Sequence, residues 1–120
     1  MVAHLRASDR YHELLFSLLH KNSDIFKLGR DELPKDAKFQ IYQMFDLFSE
    51  IYELQKHQTE VGRHSWVRWE QRMNALLEKR AFIAAWNLQA KDHTRLYSAD
   101  FCKFVRMAQA NKASKDLAAA

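Results

Sequence analysis

Four potential metal ligands, Asp46, Glu50, Glu53 and His57, recur every third or fourth residue in one stretch of the chain. On a helix they fall within about 60° of one another, a row of carboxylates and an imidazole of the kind that binds divalent cations. Carboxylate-bridged metal bundles, however, draw glutamates from two helices and add two Glu-x-x-His motifs, all aimed into the core. This chain has no Glu-x-x-His. One straight helix also cannot wrap four ligands around a single ion. The row therefore reads as a solvated acidic face, and no metal ligands are predicted. A histidine- and acid-lined metal enzyme is the weakest of three functional readings.

Other reactive residues are scattered. The six histidines (His4, His12, His20, His57, His64 and His93) lack ligand spacing, and no Cys-x-x-Cys-His occurs. His12 alone lies at the margin of an apolar stripe. Cys102 is the single cysteine, so an internal disulfide and a multi-cysteine zinc site are both excluded, and no base stands beside it to activate the thiol. Glycine-rich phosphate loops, G-x-S-x-G, H-E-x-x-H and kinase motifs are all missing. No catalytic residue and no cofactor is predicted; the chain reads as a non-enzyme.

Arg63, Arg68, Arg72, Lys79 and Arg80 form a basic run with Glu70 and Glu78 interspersed. Without a helix-turn-helix partner this suits a solvated face or an acidic protein partner rather than nucleic acid. The three tryptophans and eight phenylalanines are core material at helical spacing. Trp66, near a helix start, and Trp86, after a break, are the tryptophans expected to edge a cavity or an exposed patch. Trp66, Trp69, Trp86, Arg68 and Arg72 are accordingly the candidate partner or pocket contacts.

The elements that position these residues follow from composition and period. Two glycines and one proline in 120 residues are too few for the turns of a sandwich or barrel. Helices joined by polar loops remain, and a single domain of this length can bury a real core. The net charge of +4 and pI near 9.3 come from interspersed acids and bases, not from a basic stripe. No run of eighteen apolar residues and no signal-peptide core occurs, so nothing in the sequence spans a membrane.

The predicted fold is an all-α single-domain bundle of four to five helices around a central helix at about 34–56. In that helix Ile41, Met44, Phe45, Leu47, Phe48, Ile51, Tyr52 and Leu54 occupy about half the circumference, against Gln43, Asp46, Ser49, Glu50 and Glu53. A first helix is capped by Ser8 and buries Tyr11, Leu14, Leu15, Leu18 and Leu19. Ile25, Phe26 and Leu28 tether the connection, which Gly29 ends. Pro34 opens the central helix with Asp31 as a nearby cap, and residues 57–63 form the next loop. Ser65 caps a third helix burying Trp66, Trp69, Met73, Leu76 and Leu77. The phase then slips: carried on straight, Phe82 and Trp86 land on the basic side, so a break is predicted at 79–81 before a short fourth helix. Residues 91–96 read as a polar connection, and Ser98 caps a last helix burying Phe101, Phe104, Val105 and Ala108. The domain is assigned to 1–110 and a disordered tail to 111–120, with Ala118, Ala119 and Ala120 reading as cloning-derived.

The order of Glu50 with Tyr52, Gly62, Trp66 and Trp69, Trp86, and Tyr97-Ser98 followed by Phe101, Phe104 and Val105 resembles a group of small, uncharacterised bacterial helical proteins. The sequence departs from their pattern at 77–80, where Leu-Glu-Lys-Arg replaces a Pro-Gly-like break. The resemblance implies the helical fold and a membrane-spanning helix ahead of the domain, and no catalytic residues. The expected function is a bacterial domain for binding a protein partner or itself, cytoplasmic or held at the cytoplasmic face of the inner membrane by a segment absent from this sequence. The alternative is a small-molecule sensor with a pocket between the central helix and the helices of Trp66 and Phe101.

Overall fold

The computed structural model describes residues 2–21, 24–29, 31–57 and 63–119, with side chains over 8–20, 24–29, 31–56 and 66–110. The protein is an all-α single-domain bundle. Its helices are α1 (Val2–Lys21), α2 (Lys35–His57), α3 (Arg63–Leu77), α4 (Arg80–Leu88), the one-turn α5 (His93–Leu96) and α6 (Ala99–Ala119).

The central helix lies where the sequence places it. Pro34 stands just before α2, and its carbonyl accepts the Lys38 N–H at 2.9 Å. Ile41, Met44, Phe45, Leu47, Phe48 and Ile51 are buried, with Tyr52 half-buried at the edge. So wide an apolar arc needs cover on more than one side. On one side α1 packs antiparallel: Gln40 Nε2 donates to Ser17 Oγ at 2.7 Å, and further along the pair Tyr11 lies 6.3 Å from Phe48. Across the rest of the arc lie α3, α4 and the start of α6.

The predicted break is sharp. The Lys79 N–H bonds the Leu76 carbonyl at 2.9 Å, and Lys79 itself is extended at φ −72°, ψ 144° before α4 starts at Arg80. That turn re-aims Phe82 and Trp86, which a straight helix would have pointed outward. Both rings meet Phe45 edge-on, at 5.8 and 5.2 Å, and Phe26 closes on Phe82 at 5.7 Å.

The connection over 24–29 anchors as expected, through buried Ile25 in a 3-10 turn (Ile25–Lys27). Gly29 has no unusual φ, and an added Cβ there would lie 2.7 Å from Arg80 Nη2, the end of a largely exposed side chain that can move aside.

Four sequence expectations shift. Helix α1 begins at Val2 rather than after Ser8, because no glycine or proline interrupts alanine, leucine and arginine there. Helix α3 begins at Arg63, so Ser65 is inside it, not its cap. Residues 90–96 are a 3-10 turn (Ala90–Asp92) and α5 rather than coil, because Asp92 and Tyr97 N–H groups bond back to Gln89 and His93 carbonyls. Helix α6 runs on to Ala119, since residues past 110 are mostly good helix formers even without an apolar stripe. Ser98 does cap α6, accepting the Phe101 N–H at 3.2 Å. Most of the loop predicted at 57–63, with Gly62, lies outside the described residues.

Phe45→Ala should lower the free energy of unfolding by about 3–5 kcal/mol, because the ring is fully buried and Phe82 and Trp86 of α4 pack edge-on against it. Phe39→Ala, on the same helix but 64% exposed, should stay within about 0.5 kcal/mol. Urea denaturation of the two variants measures both.

Candidate functional site

The tryptophans do not all reach the surface. Trp69 and Trp86 are buried, and only Trp66 is half-exposed. The expectation that Trp86 edges a patch is overturned, because the break at Lys79 turns it inward beneath His93, whose ring stacks on it at 3.7 Å. Trp66 packs against Tyr52 at 6.0 Å and Phe104 at 6.2 Å, and Tyr52 also meets Phe101 and Phe104 at 5.8 and 5.3 Å. These rings occupy the space between α2, α3 and α6 in which a sensor pocket was expected.

The basic candidates divide. Arg68 is exposed. Arg72, predicted to stand with it on the outer face, instead lies over Tyr11 and Trp69, 5.4 and 5.0 Å from the ring centroids. Its cation–π contacts fasten α1 to α3, and Tyr11 meets Trp69 edge-on at 5.6 Å alongside.

Two members of the acidic row on α2 tie helices together. Asp46 Oδ1 accepts the Tyr97 hydroxyl at 2.9 Å, Glu53 Oε1 accepts the Ser98 hydroxyl at 2.6 Å, and Lys56 pairs with Asp100. Three polar ties thus clip the start of α6 along the polar edge of α2, which the sequence reading assigned to water. No group of three or more His, Cys, Asp or Glu converges on a metal position among the described residues. His93 donates from Nε2 to the Trp86 carbonyl at 2.7 Å, and His20 stacks on Phe16. His12 is exposed, with its ring 5.4 Å from Tyr11. The side chains of His4, His57 and His64 lie outside the described residues. Cys102 is buried against the His93 carbonyl at 3.7 Å, and burial pushes its thiol above the ordinary value.

The exposed aromatics are elsewhere: Phe16 is 71% and Phe39 64% exposed. Each precedes by one residue a partner of the Ser17–Gln40 bond. In an antiparallel helix pair that places both on the same, outer side of the seam. The sequence held this signal, because both residues sit off the helical phase of the buried stripes beside them. No family model, curated protein or solved structure matches the chain.

Burial and the Asp46 carboxylate together raise the Tyr97 phenol far above its ordinary value of 10.0. A raised pKa means that the fold favours the neutral phenol. That stabilisation is complete below about pH 10 and is lost as pH rises beyond it. Tyr97→Phe should therefore cost about 1 kcal/mol at neutral pH and flatten the fall in stability above about pH 10. Urea midpoints across that range, compared with wild type, provide the check.

Proposed function

We propose that this protein is a non-enzymatic interaction domain that binds a protein partner through the outer face of α1 and α2. The supporting observation is the pair of phenylalanines, Phe16 and Phe39, left in water on one side of a helix seam whose other side is fully packed. Burying a phenylalanine is worth about 1.5–3 kcal/mol, and a protein with ample core elsewhere gains nothing by exposing two together. Aromatic side chains are favoured anchors of protein interfaces.

The polar groups fit the same reading. Asp46, Glu53, Arg72 and His93 each have a partner that joins one helix to another or caps a turn, which leaves them occupied in holding the bundle. Among the described residues no helix is long and apolar enough to cross a membrane. The sensor alternative loses support where Tyr52 packs edge-on or tilted against Trp66, Phe101 and Phe104.

The test uses the Phe16→Ala/Phe39→Ala double variant, with Leu96→Ala/Met107→Ala as a control because those residues are also exposed but lie on other elements. All three proteins are expected to melt within a few degrees of one another. Tagged copies expressed in the native host should capture a common partner with wild type and control, and lose it with the phenylalanine variant. An identical captured set for all three proteins would remove the reading.

A further inference from the structure

We infer that the occupant of the α1/α2 face is a cationic amphipathic helix, laid along the seam with its apolar side on Phe16 and Phe39 and its basic side one to two turns away. This rests on the interaction reading above and adds the chemistry of the partner.

The register of the two helices orders the face. Ser17 is bonded to Gln40, and Tyr11 lies beside Phe48. Continuing that antiparallel direction brings Glu13 to within about one turn of Asp46 and Asp9 to within about one turn of Glu50, all four exposed and on the same outer side as the phenylalanines. One end of the strip is therefore acidic, with Asp9, Glu13 and Glu50 beside an Asp46 that already holds the Tyr97 hydroxyl, and the next turns carry Phe16, Phe39 and the His20 ring stacked on Phe16. Asp36 adds a further acid beyond Phe39, while the strong bases at the margins are Arg10 and Lys35. In a chain whose overall charge is +4, this face is acidic.

The acids are placed where they oppose folding. Asp9 with Glu13 and Asp46 with Glu50 are like charges four residues apart on a helix, an arrangement that destabilises it. Asp46 gains the Tyr97 hydroxyl in return; Asp9, Glu13 and Glu50 have no ion-pair partner among the described residues. A partner bringing lysine or arginine to that end relieves the repulsion while its apolar side covers the phenylalanines. A metal ion does not serve, since the carboxylates form no three-ligand group. An amphipathic helix in the groove between two helices fits both the apolar and the charged rungs, because all of them repeat at helical spacing.

Two synthetic helical peptides of about 18 residues test the inference, sharing one Leu/Phe stripe flanked by lysines in the first and by glutamates in the second. Binding is read by amide chemical-shift mapping and fluorescence anisotropy at low and high salt. The lysine peptide should bind, shift the amides of Glu13, Phe16, Ser17, Phe39 and Gln43, and weaken as salt screens the carboxylates. Phe16→Ala/Phe39→Ala and Glu13→Lys/Glu50→Lys should each weaken it at least about tenfold with the circular dichroism unchanged. Equal binding of the glutamate peptide, shifts mapping to another face, or no binding by either peptide overturns the proposal. Sedimentation showing a dimer that Phe16→Ala/Phe39→Ala dissolves also overturns it, in favour of a second copy. If neither peptide binds yet the double variant still loses its partner from the native host, the cationic helix is wrong and the interaction face stands. If the variant keeps that partner, both fall.

Discussion

The structure depends on the convergence of rings at Phe45. A helix with half its circumference apolar cannot be covered by one neighbour, and α1 reaches only one side of α2. The remaining side is closed because the chain stops being helical at Lys79 and starts again at Arg80 on a new axis. Phe82 and Trp86 then meet Phe45 edge-on, Phe26 backs Phe82, and His93 and Tyr97 stack against Trp86. Without the break, two large aromatic side chains would stand in water and the end of the core around Phe45 would be open.

A second layer of organisation is polar and runs along the edge of the same helix. Asp46, Glu53 and Lys56 engage Tyr97, Ser98 and Asp100, which sets where α6 begins and hence where Phe101 and Phe104 enter the core beside Tyr52. The most buried of these ties, Tyr97 to Asp46, joins a ring in the aromatic cluster to a carboxylate at the surface. Arg72 does comparable work on the far side by lying over Tyr11 and Trp69. Asp46, Glu53 and Arg72, which look in sequence like ligands or partner contacts, are in this way taken up by helix-to-helix contacts, and Phe16 and Phe39 are the most exposed of the large apolar side chains among the described residues.

By itself the sequence determined the helical class, the central place of α2, the break near Lys79 and the Ser98 cap. Each rests on local physics: glycine and proline scarcity, apolar residues in one phase over fourteen positions, a phase slip that only a bend can repair, and a hydroxyl one turn before a free N–H. Only the tertiary structure decided that Asp46 and Glu53 are partnered, that Trp86 is buried and Arg72 committed to two rings, and that Phe16 and Phe39 share a face. Those outcomes depend on which residues meet across helices far apart in the chain. Periodicity states which side of a helix is apolar, but the register between helices sets what each polar or out-of-phase residue finds opposite it.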